Sequence, residues 1–191
     1  MTGPDRVAGL LLAAGGGRRF GMPKALIDHG GRLFVERAAE VLHAAGCTPV
    51  VVVLGASAEE VRTRAHLPGS SIVDNPDWGA GMGSSLRLGL ATLSTSDSIA
   101  VVVLPVDTPG VTAAAVRRLA ALATPDALAR ATYHGAPGHP VLIGRTHWPA
   151  VTTAATADTG ARPYLVAHPP QNIPCEDIAT GTDIDHPSDL P

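Results

Sequence analysis

Three stretches of the chain are apolar almost without interruption, and each is short: VAGLLLAA (7–14), PVVVVLG (49–55) and SIAVVVLPVD (98–107). A strand with one wet face alternates apolar and polar residues. These do not alternate, so both faces are buried, as in the parallel sheets of α/β proteins. Between them the spacing changes to that of helices. LFVERAAEVLHAAG (33–46) carries Leu33, Val35, Ala38, Ala39, Val41 and Leu42 on one side, and Gly46 suits its C-terminal end. SAEEVRTRA (57–65) opens on Ser57 as N-cap with acids in its first turn. GMGSSLRLGLATL (81–93) runs helically through Leu86, Leu88, Leu90 and Leu93, and TAAAVRRLAALA (112–123) is capped by Thr112. SIVDN (71–75) reads as a short strand.

Strands alternating with helices through the first 125 residues define βαβ units joined by right-handed crossovers. The last third differs, being rich in Pro, Thr, Gly and His, with short strands at 129–135, 139–144 and 171–175. The expected fold is therefore α/β: a three-layer, Rossmann-like arrangement with a mostly parallel central sheet and an antiparallel extension in the last third. At 191 residues it forms a single domain, 1–191, long enough to hide roughly 70% of its unfolded surface.

Composition removes several classes of function. Aromatics are 3% of residues, which argues against a stacking surface for single-stranded nucleic acid, and a net charge of −3 argues against a broad DNA or RNA footprint. No run reaches the ~18 apolar residues of a membrane span. Cys47 and Cys175 form no Cys-x-x-Cys pair, so each reads as a small core residue in a reduced, cytoplasmic protein.

Ligands of open α/β sheets bind beyond the carboxyl ends of the strands, so the chemistry belongs where AAGGGRR meets PVDTPG. Lys24 does not stand in a Walker A pattern, and Phe20 replaces the third glycine of a dinucleotide fingerprint. Even so, Gly15, Gly16 and Gly17 let backbone N–H groups approach an anion, and Arg18, Arg19 and Lys24 add donors suited to a triphosphate. Asp107, at a strand tip before a proline turn, is placed equally well to hold Mg²⁺ between phosphate oxygens or to cap the next turn.

The opening loop resembles the L-A-x-G-x-x-x-R-x-G-x-x-K signature of the MobA-like nucleotidyltransferases, with Leu12, Ala13, Gly15, Arg19, Gly21 and Lys24 in register. Three further stretches agree. Asp107 and Pro109 match the family's D-x-P, whose aspartate binds metal. GTDIDHPSDL puts Asp185 on the position completing that site, with Asp183 as second choice and His186 in place of the usual threonine. DNPDWGAGMGSSLRLGL matches the nucleotide-contacting segment at Asn75, Trp78, Gly81, Met82, Ser85, Leu86, Gly89 and Leu90. Gly138-His139-Pro140 and Asp158-x-Gly160-Ala161-Arg162 are similar to stretches of the molybdenum cofactor cytidylyltransferases, and Ala14 leans toward that branch.

What the resemblance implies is specific. Arg19, Lys24 and Asp107 are the catalytic set. Leu12, Ala13, Ala14, Gly15, Gly16, Gly17, Asn75, Gly81 and Ser85 join Arg19 and Lys24 in holding nucleotide. Asp107 and Asp185 hold Mg²⁺, and His139, Asp158 and Arg162 meet the acceptor. The partners are CTP and a phosphorylated acceptor, the molybdenum cofactor, with transient contact to a molybdoenzyme or its chaperone, and neither nucleic acid nor membrane. GTP as donor, a sugar, polyol or acid phosphate as acceptor, and a non-catalytic nucleotide- or cofactor-binding chaperone stand as alternatives.

Overall fold

A computed structural model describes residues 6–190 of the chain. Seven strands form one sheet: β1 (Val7–Ala13), β2 (Val50–Leu54), β3 (Ser70–Asp74), β4 (Ala100–Pro105), β5 (Leu128–Tyr133), β6 (Ala136–Gly144) and β7 (Gln171–Pro174), in the order β3-β2-β1-β4-β6-β5-β7. β1 lies between β2 and β4 and is parallel to both. β6 runs antiparallel to both β4 and β5, and β7 is again parallel to β5. The antiparallel extension is thus one reversed strand.

The uninterrupted apolar runs have the expected cause: both sheet faces are covered. Side chains alternate between faces along a strand, and parity sorts them here. Leu11, Val52 and Leu104 face a core built on helices α1 (Phe34–Ala44), α2 (Ala58–Arg64) and α4 (Ala113–Ala120). Leu10, Val53 and Val103 face the other core, built on α3 (Met82–Leu93), α5 (Trp148–Ala154) and α6 (Arg162–Ala167). This is the three-layer arrangement the pattern predicts.

Local signals hold unevenly. Gly46 follows α1 at φ +89°, and the Cys47 N–H reaches back to the Leu42 carbonyl. Thr112 Oγ1 accepts from Ala115 N–H at 3.3 Å, as a cap should. Ser57 instead takes φ +54° and its side chain caps nothing. The chain leaves β2 through a tight turn in which Ala56 N–H bonds the Ala14 carbonyl and Ala58 N–H the Gly55 carbonyl, which spends Ser57 on the turn. Helices α5 and α6 lie where only weak strands and loops are expected from sequence. Both are short, and each has proline in its first turn. Cys47 and Cys175 are buried and unpaired. Among the described residues, no helix is long and apolar enough to cross a membrane.

Candidate active site

The loop leaving β1 turns back on itself. Gly21 N–H bonds the Gly17 carbonyl at 2.8 Å, and Lys24 starts a single 3₁₀ turn ending at Leu26. Gly17 sits at φ +60°, where a methyl group would fall 1.8 Å from the Met22 carbonyl oxygen. Only glycine allows that reversal, and the reversal carries Lys24 over the strand ends.

Asp107 arrives from the tip of β4, which stays in line with β1 through a bond from Val106 N–H to the Leu12 carbonyl. The C-terminal segment is tied to the same place. Ile184 N–H donates to the Asp107 carbonyl at 2.8 Å. Asp189 then accepts from the backbone N–H groups of Asp185 and His186 at 3.0 and 2.7 Å, which aims the Asp185 carboxylate at the loop. Lys24 Nζ is the meeting point, 2.9 Å from Asp107 Oδ2 and 2.7 Å from Asp185 Oδ1. The exposed Arg19 pairs with the other Asp185 oxygen at 2.9 Å.

Electrostatics follows from this packing. Burial works against the Lys24 charge, but hydrogen bonds to Asp185 and Asp107 outweigh it and hold the ammonium above its ordinary range. The Lys24 hydrogen bond holds Asp185 below the usual carboxylate range. Asp183 moves the other way, raised by burial and by the charges of Asp107 and Asp185. Burial lowers His139 despite the nearby Asp107 charge.

These groups open on a cavity of about 580 Å³. Of the nucleotide-binding residues expected from sequence, Leu12, Ala14, Gly15, Gly16, Gly17, Gly81 and Ser85 line it, as do Arg19, Lys24, Asp107 and Asp185. Ala13 is buried in the core on the α1 side. Asn75 is buried beneath the cavity and holds the floor: its amide donates to Ser84 and Ser85 hydroxyls at 2.8 and 2.9 Å. Arg18, which no motif explains, lines the cavity too. A second cavity of about 760 Å³ adjoins the first, sharing Leu12, Met82 and Asp158. His139 and Arg162 line it, and so do Arg130 and Asp183. Trp78 and Met82, two of the positions matched to the nucleotide-contacting segment, line the first cavity as well, whereas nothing around Arg130 in the sequence marks it.

Two carboxylates converging on one cation suit a hard divalent metal with oxygen ligands. Among the described residues no group of three or more His, Cys, Asp or Glu side chains is arranged to hold a metal ion. Asp107 and Asp185 would hold such a metal, and water and phosphate oxygens would have to supply the rest of its ligands.

A parallel α/β sheet with a glycine loop, cations and two carboxylates at its strand ends defines a protein that handles polyphosphate. The chain belongs to the family of the MobA-like NTP transferase domain, whose model matches residues 9–172. It is 42% identical over 189 residues to nicotine blue oxidoreductase of Paenarthrobacter nicotinovorans, covering 94% of this chain and 92% of that protein. The manganese complex of Rv0371c from Mycobacterium tuberculosis H37Rv superposes with a TM-score of 0.74 at 25% identity, covering 88% of each chain. A nucleotidyl transferase from Methanothermobacter thermautotrophicus shares the fold, with a TM-score of 0.79 at 19% identity over 97% of this chain and 94% of that one.

Proposed function

We propose that this chain is a cytoplasmic, single-domain, Mg²⁺-dependent nucleotidyltransferase. It moves CMP from CTP to the phosphate of a molybdopterin-type cofactor and releases pyrophosphate. The observation that carries this reading is the meeting of Lys24, Asp107 and Asp185 over the glycine loop. In the reaction an acceptor phosphate oxygen forms a bond to the α-phosphorus, and the bond from that phosphorus to the bridging oxygen breaks. A phosphate monoester is mostly dianionic at neutral pH, with a second pKa near ~6, so no general base is needed. The obstacle is repulsion between anions and their alignment. Gly15–Gly17 backbone N–H groups orient the phosphates, and Lys24 and Arg19 neutralise charge gathering on the leaving pyrophosphate. Mg²⁺ held by Asp107 and Asp185 would supply further charge neutralisation at the phosphate oxygens. His139, Asp158 and Arg162 line the adjoining cavity, which suits them to orient the acceptor.

Nothing in the geometry selects cytosine over guanine. That part of the proposal rests on Ala14 and on the His139 and Asp158–Arg162 stretches. The deciding experiment measures pyrophosphate release with each of the four NTPs, with and without molybdenum cofactor. Release with CTP only when cofactor is present supports the reading. Preference for GTP overturns the donor, and no release with any NTP overturns transfer.

One observation favours a second reading: the 42% identical relative is named as an oxidoreductase. Two adjoining cavities would then hold a nicotinamide dinucleotide and an electron acceptor. Oxidation of NADH or NADPH by a dye acceptor, with no pyrophosphate release from any NTP, would decide for it.

A further inference from the structure

The phosphate chemistry leaves Trp78 unexplained. The chain has two tryptophans. Trp148 is 5% exposed, and its indole N–H donates to the Ile143 carbonyl at 3.0 Å, an ordinary core residue. Trp78 is 36% exposed and lines the first cavity. A large aromatic left about a third in water is costly unless something covers it.

Its position is fixed from three sides. Trp78 opens the 3₁₀ turn between β3 and α3, and its carbonyl accepts from Gly81 N–H at 3.1 Å. Asn75 and its hydroxyl partners hold the turn from below. A methyl group on Gly55, just past β2, would lie 2.5 Å from Trp78 Cβ, and one on Gly16 would lie 3.1 Å from Cζ3 of the ring. Two glycines thus make room for this side chain, and one belongs to the phosphate loop itself. The indole is packed against the loop along one side and faces the cavity with the rest.

The placement also has a direction. Trp78 touches the tip of β2, whereas Asp107 stands at the tip of β4, with β1 between them. Two strand spacings amount to roughly 10 Å, about the reach from a nucleobase across its ribose to the phosphates. One end of the cavity holds the Lys24, Asp107 and Asp185 cluster; the other is walled by an indole and by the Met82 thioether, with the Asp158 carboxylate beside Gly81.

We propose that Trp78 is the nucleobase platform of this site, stacking on the base of a bound nucleoside triphosphate. The inference rests on a nucleotide occupying this cavity, as proposed above. Every base has a π face, so this wall supplies affinity and orientation without choosing among bases. Trp78 is accordingly a positioning residue, and cytosine preference must arise elsewhere.

The test compares probes with and without a base, by calorimetry with Mg²⁺ present: CTP, GTP and inorganic tripolyphosphate. Trp78→Ala should weaken CTP and GTP alike by about tenfold, within the range for loss of one base–aromatic stack. It should leave tripolyphosphate affinity within about twofold. Trp78→Phe should keep most of the CTP affinity. CTP should quench the tryptophan emission of the wild type and not that of Trp78→Phe, whose remaining Trp148 is buried. Unchanged CTP affinity in Trp78→Ala, or an equal loss with tripolyphosphate, overturns the assignment. Pyrophosphate release, scored on the same wild-type protein, separates the two readings: its absence with the base-dependent loss intact removes transfer and leaves the platform standing.

Discussion

Replacing Lys24 with methionine removes the cation that, among the described residues, touches both carboxylates, and it should act on stability and on rate by different amounts. Nζ lies 2.9 and 2.7 Å from the two acids, and the lysine side chain is 14% exposed against 24% and 42% for Asp107 and Asp185. At an effective dielectric near 20, a unit pair about 3 Å apart attracts by roughly 5–6 kcal/mol in gross terms. Desolvation of the ammonium offsets much of this, and water screens Asp185. A partly buried pair of this kind falls between the few tenths of a surface bridge and the ~3–5 kcal/mol of a fully buried one. The variant should lose about 1–2 kcal/mol, lowering Tm by roughly 3–6 °C for a chain of this length. The rate effect is larger, because a preorganised cation at a developing anion contributes about 10²–10³ in rate. Pyrophosphate release with CTP and molybdenum cofactor should fall by that factor while the melting curve stays cooperative. A variant within about tenfold of wild-type rate, or one whose rate loss follows from unfolding at the assay temperature, would refute the role given to Lys24.

The remaining predictions address the metal, the loop, one cap, one titration and one thiol. Chelation by EDTA should abolish pyrophosphate release and added Mg²⁺ or Mn²⁺ restore it, while Asp107→Asn should lose Mn²⁺ binding measured by electron paramagnetic resonance with CTP present; undiminished Mn²⁺ binding would remove Asp107 from the ligand set. Gly17→Ala forces a methyl into the Met22 carbonyl, so tripolyphosphate binding should drop at least about tenfold while stability changes by ~1–3 kcal/mol. Thr112→Ala removes both the cap on Ala115 and a bond to the Ile178 carbonyl, and should cost about 1–2 kcal/mol in urea unfolding with activity retained. Asp185 is held below the ordinary carboxyl value of 3.8 by Lys24, so its stabilising contribution is present above that value and is lost as pH falls through its lower folded one. The Tm gap between wild type and Asp185→Asn should therefore stay level from neutral pH down toward pH 5 and shrink below 3.8; a gap that persists in acid contradicts the pairing. Burial pushes the Cys47 thiol up to about 12, so iodoacetamide at pH 8 should label it only after denaturation.

Much of this was legible in the sequence, and the reason is physical. A strand buried on both faces has no choice but to be apolar at every position, so β1, β2 and β4 announce themselves. The reversed strand β6 pairs on both sides as well, yet only 139–144 of it reads as strand, because Pro137 and Gly138 break the run before that. Helices α5 and α6 span 7 and 6 residues, too short for a 3.6-residue period to declare itself. The charged site showed because glycines, cations and an aspartate at strand ends are informative one by one. Trp78 showed only as one matched position of the nucleotide-contacting segment; its particular role did not, because what marks it is the space that Gly16 and Gly55 leave for it, and that space joins three segments far apart along the chain.

The relative named as an oxidoreductase sharpens the question of what this site commits to. A glycine loop with cations at its mouth is an anion site, and anion binding alone does not separate a triphosphate from a dinucleotide's pyrophosphate. Hydride transfer asks only that two rings be held face to face, and it gains nothing from a pair of carboxylates. Phosphoryl chemistry does gain, because charge must be neutralised at the bond that breaks. Asp107 and Asp185 are therefore the residues that tell the readings apart. Changing both to asparagine should leave reduction of a dye by NADH nearly intact if the protein is an oxidoreductase, since no electron passes through them. The same change should eliminate pyrophosphate release if it is a transferase. The two acids are held together by Lys24, by the Asp189 carboxylate accepting from the Asp185 N–H, and by the Ile184 N–H bonded to the Asp107 carbonyl. Bringing the C-terminal segment across the sheet to deliver a second carboxylate is a structural expense that a dinucleotide site has no use for, and it is why transfer is the reading the geometry favours.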